Sequence, residues 1–300
     1  MAYSTEESLR DAVGEIGWFH SIDLGGGVVT PGLSEGQLAD DLLPSFEGKT
    51  VLDIGAWDGY YSFQAERHGA TRVVAVDHYA WGVDMVARGA YWNECAATGV
   101  LPDQERDLTD FWRDDLPGRQ GFELAAAVLD SKVEPVVADF ATADLTPLGT
   151  FDVVLYLGVL YHMKEPLTCL ERLRSVTAEV AVIETQAVHL QGLEDDALMQ
   201  FYAGDELNHD FGNWYVPNMT GLHSLCRAAG FRRIETVMGG PEPVVPTPPP
   251  VEPPAPAVAP RLRDRLRGQP EPTSPPEPEP EPVAESAPSC FHRALVHAWV

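Results

Sequence analysis

Val51–Ser62 reads VLDIGAWDGYYS. A short apolar run carries an acid, Asp53, near its end. A turn with glycines at 55 and 59 follows, and then a Tyr-rich segment of helical character. Strand, glycine turn and helix in that order open a nucleotide-binding βα unit. A dinucleotide site shows Gly-x-Gly-x-x-Gly, whose glycines let backbone amides close on a pyrophosphate. Here the spacing is Asp-x-Gly-x-x-x-Gly, with Ala56 and Trp57 between the glycines. One glycine is missing, which disfavours a dinucleotide dehydrogenase.

Outward from that motif the chain alternates strands and helices, the pattern of a parallel α/β sheet. Strands are expected at Thr50–Ile54, Arg72–Val76, Val133–Val137, Phe151–Leu157, Glu179–Ile183 and Phe231–Val237. Helices are expected at Tyr60–His68, over a long stretch from Trp81 to Thr109, and at Phe122–Leu129, Pro166–Ser175 and Asn218–Ala229, the last closed by Gly230. Eighteen of the 26 prolines then fall between Pro241 and Pro288. Proline fixes φ and lacks a ladder donor, so this tract reads as extended or disordered coil. Its RLRDRLR reads as a solvated basic interruption. After it comes CFHRALVHAWV, Cys290–Val300, an alternating apolar strand. The tract is therefore expected to be a loop inside one sheet, costing only about 1–2 kcal/mol more than a short turn. The final strand should pair antiparallel with Phe231–Val237. The expected organisation is a helical lid over 1–48, a catalytic domain over 49–240 plus 290–300, and the proline loop over 241–289.

The chain has 300 residues and a net charge of −26. Residues 241–289 account for only −4 of it, so −22 resides on the rest. A nucleic-acid enzyme needs a basic face to displace phosphate counterions, so the charge favours a small-molecule substrate. No apolar run is long enough to span a membrane, and the acidic N-terminal stretch lacks a leader's apolar core. Four dispersed cysteines form no CxxC pair and read as reduced thiols. The expected location is the cytoplasm.

Three acids fall at successive strand ends. Asp53 is placed to organise the glycine turn and meet an ammonium group. Asp77, 24 residues later, is placed to accept two ribose hydroxyls. Asp139, beside Phe140, is placed to accept an adenine amino group. S-adenosylmethionine has these three parts and no phosphate, so it is the expected cofactor. Gly55, Ala56, Gly59 and Tyr60 would approach it from the turn, His78 beside Asp77, and Leu157, Gly158 and Tyr161 from the end of the fourth strand. Trp18 and Phe19, ahead of the flexible Gly25–Gly27, would form a lid.

The candidate bases lie further on. His162 follows the fourth strand, where a histidine serves either as general base or as a local hydrogen-bonding group. Glu184 ends the fifth strand. In LNHDFGNWYVPN, His209, Asp210, Asn213 and Trp214 place a base, an acid, an amide and a ring within six residues. These read as a substrate wall, with Asp210 or His209 as a second base and with His20 contributing from the lid. No metal is expected.

Together, WFHSIDLGGGVVTPG, LDIGAWDGYYS, FDVVLYLGVLYHMKEPLTCL, VIET, NWYVPN and HRALVHA resemble class I S-adenosylmethionine-dependent methyltransferases. The resemblance extends to the branch that holds the bacterial tRNA wobble-uridine carboxymethyltransferase and its methyltransferase relatives. It implies a Rossmann-like, mostly parallel seven-stranded α/β sheet with a C-terminal antiparallel hairpin strand. The carboxymethyl members carry a lysine ahead of the Gly-x-Phe segment, facing the extra carboxylate of their cofactor. In EIGWFHS that position is Ile16. Tyr161 and Arg293 match family positions near the transferring group. The departure at Ile16 favours plain methyl transfer to a hydroxyl, or an amine, of a small molecule such as a natural product or sugar. Modification of tRNA and a non-catalytic scaffold using the proline loop are the alternatives.

Overall fold

The structure, a computed structural model, describes residues 5–33, 37–239 and 290–300. Expectations about the remaining positions, the proline loop and its RLRDRLR turn among them, lie outside the described residues.

Among the described residues the strands are β1 (Thr50–Ile54), β2 (Arg72–Asp77), β3 (Glu134–Val137), β4 (Phe151–Leu157), β5 (Thr177–His189), β6 (Met199–Phe201), β7 (Tyr215–Pro217), β8 (Arg233–Met238) and β9 (Cys290–Trp299). Seven of them form one sheet in the order β3-β2-β1-β4-β5-β9-β8. Strands β1 to β5 pair parallel, and β9 runs antiparallel to both β5 and β8. The returning last strand and its pairing with the strand before it are as expected. The second pairing is a finding: β5 is longer than its apolar centre indicates, and β9 matches it from Val180↔Trp299 to His189↔Cys290. Pro135 sits in β3, at the sheet edge, where a missing amide breaks no ladder.

The central strands are apolar on both faces because both faces are covered. Alternate residues divide cleanly. Val51, Val73, Val153, Val180 and Leu295 enter one cluster with Phe63 and Phe122, and Leu52, Val74, Val154, Ala181 and Val296 enter another with Leu170 and Leu222. Helices α2 (Tyr60–Arg67) and α6 (Gln120–Leu129) cover the first face, with the N-terminal segment. Helices α7 (Pro166–Val176) and α8 (Met219–Ala228) cover the second.

The mainly helical stretch expected over Trp81–Thr109 comprises three helices, α3 (Tyr79–Gly82), α4 (Met85–Thr98) and α5 (Gln104–Thr109). Asp84 and Asp103 cap the second and third through their side chains, and Gly99 ends the second in the left-handed region. Within 1–48 the described residues form a short 3-10 turn at Asp40–Leu42 and an α-helix, α1 (Glu6–Gly14), which buries Leu9 and Val13. Beyond it, positive φ at Gly25, Gly26 and Gly27 and the bridge Asp23↔Val29 impose an irregular, folded-back path. Among the described residues, no helix is long and apolar enough to cross a membrane.

Candidate active site

The turn after β1 is built by its backbone. Gly55 has φ +79°, and a Cβ there would lie 2.7 Å from the Val159 side chain. Trp57 also has a positive φ, +46°, in a region that costs a bulky residue free energy. Compensation comes from three sides. The Trp57 amide donates to Asp77 Oδ2 at 3.0 Å, its carbonyl accepts from Trp81 Nε1 at 2.6 Å, and its ring stacks on Phe19 at 4.4 Å. Ala56 is buried beside it, and Gly59 caps α2 ahead of Tyr60.

Asp77 is buried, and burial raises its carboxyl above the ordinary range. Besides the Trp57 amide it accepts from the Ala80 amide at 2.9 Å, so it organises the turn as well as ending β2. Asp53 is buried too, and burial pushes its carboxyl up to about 6. Ser62 Oγ donates to it at 2.6 Å and opposes that rise. Asp139 closes a local turn, accepting from the Ala141 amide and the Thr142 hydroxyl. The Phe140 ring is buried in the core near Tyr156. His78 stacks on Trp112 at 4.3 Å.

A residue the sequence reading passed over ties the N-terminal segment down. Asp58, 1% exposed, accepts from the Phe19 and His20 amides at 2.9 and 2.7 Å, and His20 Nδ1 lies 2.5 Å from its other oxygen. The His20 ring lies over Tyr60. Trp18 turns away, donating to the Val13 carbonyl. Phe19 remains 41% exposed over the turn. Asp58 was legible as the acid inside GAWDG.

Beyond β4, Leu157 and Gly158 lead into a short helical turn, Leu160–His162. The Gly158 amide donates to the Glu184 carbonyl at the neighbouring strand end. Glu184 is buried and accepts from Arg293 Nε at 2.7 Å. Burial opposes the charge of Arg293, and Glu184 more than restores it, leaving the guanidinium above its ordinary value. Tyr161 lies against this pair, and burial raises its hydroxyl further. His162 Nδ1 is 3.0 Å from the Gly212 carbonyl oxygen. A carbonyl only accepts, so Nδ1 carries the proton and Nε2 keeps its lone pair. Burial lowers the pKa of His162, so the neutral ring is favoured.

The insertion after β5 meets that turn. The Trp214 amide donates to the Tyr161 carbonyl, and Lys164 lies over the Trp214 ring at 4.7 Å. Asp210 accepts from the Gly212 amide at 2.6 Å and stands near His162, whose charge it favours. Asn213 is buried and donates to the Leu207 carbonyl, a structural role. His209 is 94% exposed, with Asp205 3.9 Å away, and points out of the site; its candidacy as a base is corrected. Among the described residues no group of three His, Cys, Asp or Glu side chains is placed to hold a metal ion.

A second missed group sits opposite. Arg88 of α4 is buried and donates from Nε to Asp107 Oδ1 at 3.0 Å, which Trp92 Nε1 also reaches at 2.7 Å. Its charge acts on His162 and responds to Asp210. The signal was the i, i+4 spacing of Arg88 and Trp92 on one helix.

This donor set fits the expected cofactor. Acids stand at three strand ends beside a glycine turn shaped by left-handed backbone.

Residues 36–236 match the family described as a methyltransferase domain. Curated relatives include tRNA U34 carboxymethyltransferases of Alteromonas mediterranea, 24% identical over 64% of this chain and 47% of the relative, and of Helicobacter acinonychis, 23% identical over 64% and 60%. The chain spans about half the length of the curated relatives it matches. Among solved structures, the N-terminal domain of EvdMO1, crystallised in the presence of SAH and D-fucose, superposes with a TM-score of 0.55 at 20% identity, over 80% of this chain and 92% of that one. The family match and the shared sheet thus converge, and the chain belongs to the methyltransferase domain family, on a sheet of the class I type.

Proposed function

We propose that this chain methylates a hydroxyl of a small molecule, with His162 as general base. The observation that carries the reading is the His162 Nδ1 contact with the Gly212 carbonyl, which leaves Nε2 as the basic nitrogen at the end of β4. When bound, S-adenosylmethionine supplies a methyl already activated on a sulfonium. The chain aligns the acceptor and removes a proton. Asp53, Asp77 and the Asp139 turn hold the cofactor, Phe19 and Trp57 screen it, and Asp210 supports the charge His162 gains. The solved neighbour crystallised with SAH and D-fucose supports a sugar or similar natural product as acceptor.

A second reading, tRNA modification, rests on the curated relatives. Two features weigh against it. The chain carries −26, and Ile16, where the carboxymethyl enzymes are expected to carry lysine, packs against the core. One assay separates the two. The full chain is incubated with methyl-labelled S-adenosylmethionine and either hydroxylated small molecules or unmodified tRNA, across a salt series. Label in a small molecule at all salt concentrations supports our reading. Label in tRNA alone, falling steeply with salt, replaces it.

A further inference from the structure

We propose that Arg88 is the specificity-determining residue for the acceptor and that the acceptor is a neutral polyol, a sugar or cyclitol, read through adjacent hydroxyls. The inference rests on the methyltransferase reading and deepens it.

Arg88 is 4% exposed. Its guanidinium carbon lies 3.5 Å from the Trp92 ring centre and 4.5 Å from that of Tyr79, so the two rings fix its plane. Asp107 takes Nε. Among the described residues no hydrogen bond leaves the two terminal nitrogens. Neither nitrogen is a buried unsatisfied atom, so both open onto space where a ligand or water can meet them.

The surroundings define what those donors face. A Cβ on Gly212 would come within 3.5 Å of His162 Nδ1, 3.4 Å of the Trp92 ring and 3.0 Å of Asp210 Oδ1. Glycine at that point lets base, ring and acid converge. Phe211 meets Trp92 edge-on behind them. Asp210 Oδ1 is used by the Gly212 amide, and Oδ2 accepts no hydrogen bond among the described residues. The space therefore offers a planar donor fork, a carboxylate acceptor, a basic imidazole nitrogen and an indole ring.

Charge decides the ligand class. Asp107 balances Arg88, His162 is held neutral, and Asp210 leaves the group negative. A carboxylate or phosphate on the acceptor would face Asp210. A neutral diol would not: one hydroxyl accepts from Arg88 while its neighbour donates to Asp210, and the hydroxyl next in line presents its proton to His162 Nε2. The indole offers a flat apolar face to the C–H side of a ring.

The test uses the full chain with S-adenosylhomocysteine present, titrated with D-glucose, D-fucose, myo-inositol and D-glucuronate and followed by calorimetry. We expect saturable binding of at least one neutral polyol. In R88A it should weaken by about tenfold or more, the value of one charge-assisted hydrogen bond. R88K, which keeps the charge and loses the fork, should recover only part of it. Affinity for S-adenosylhomocysteine should stay within twofold in both variants, which also reports folding. D-glucuronate binding tighter than every neutral polyol, unchanged polyol affinity in R88A, or no polyol binding at all would each overturn the proposal. If wild-type protein fails to bind S-adenosylhomocysteine, the methyltransferase reading fails instead.

Discussion

Glu184 Oε1 accepts a hydrogen bond from Arg293 Nε at 2.7 Å, joining adjacent strands from positions 109 residues apart. Arg293, which the resemblance places near the transferring group, is thereby given a carboxylate from within the protein. A cofactor bearing an extra carboxylate would compete with Glu184 for it and would find Ile16 where its relatives are expected to offer lysine. Competition calorimetry should show S-adenosylmethionine preferred over its carboxylated counterpart by about tenfold or more. Glu184→Gln keeps a hydrogen-bonding group while removing the charge, and should narrow that preference. An unchanged ratio in the variant would remove this pair from cofactor selection.

His162 carries the second prediction. Its Nδ1 is committed to Gly212, so replacement by Gln leaves a polar group but no basic nitrogen. The turnover number should fall about 10²–10³-fold, while affinity for S-adenosylhomocysteine stays within twofold. The sign of the pH dependence follows from burial, which lowers the histidine pKa. In wild type the rate should rise with pH through a value below 6.5 and stay flat above neutrality. That limb should vanish in His162→Gln. A limb centred above 7 would point to another base.

Asp53 makes the third. Burial raises its folded pKa to about 6, against 3.8 for the ordinary side chain. The folded state thus holds more protons between pH 4 and 6, so the contribution of Asp53 to stability is present below that window and is lost as pH rises through it. The loss amounts to about 3 kcal/mol. Asp53→Asn removes the titration, and urea unfolding of the two proteins without cofactor should diverge from pH 4.5 to 7.5 in the variant's favour. Cofactor affinity should move the opposite way, because a cationic ligand needs the ionised carboxylate that Asn cannot supply.

The parts of the fold legible beforehand are those set by local patterning. Apolar runs marked the central strands β1, β2, β4 and β5, because parallel strands buried on both faces are apolar throughout. The length of β5 and its second neighbour were not legible: Glu184, Thr185 and Gln186 break the apolar run, yet they pair with Leu295, Ala294 and Arg293. Acids and glycines at strand ends were readable because local patterning puts them there. Asp58 and Arg88 left traces, the acid of GAWDG and the i, i+4 spacing to Trp92, but their partners His20 and Asp107 are brought near only by the fold. His209 shows the converse error. Proximity in sequence to Asp210 placed it in the site, and a left-handed backbone at Asn208 and His209 turns it outward.

Asp58 supplies the fourth prediction. It serves two backbone amides and one imidazole nitrogen from the segment that lies over the glycine turn. Asp58→Ala strands those amides in a buried place, at a cost of about 2–4 kcal/mol. The effect should concentrate in the N-terminal segment. Hydrogen exchange over residues 17–33 should accelerate strongly while the amides of β1 and β4 stay protected. Uniform acceleration across the sheet would mean that Asp58 supports the whole fold and does not latch one segment.

The last prediction concerns β9, which sits inside the sheet although it ends the chain. Ala294, Leu295, Val296 and Ala298 are fully buried, and they contribute to the clusters on both faces. Leu295 and Val296 alone bring about 2 kcal/mol each from burial. Ten residues of β5 also lose their partners when the strand is removed, and β8 loses the strand it pairs with. Measured against a typical net stability of about 5–15 kcal/mol, deletion of residues 290–300 should leave no cooperative unfolding transition and no cofactor binding. The strand supplied separately as a peptide should restore binding in proportion to its concentration, because its register with β5 is fixed by which residues face each cluster. A truncated chain that melts cooperatively and binds S-adenosylhomocysteine unaided would show that the sheet closes on β5 without it.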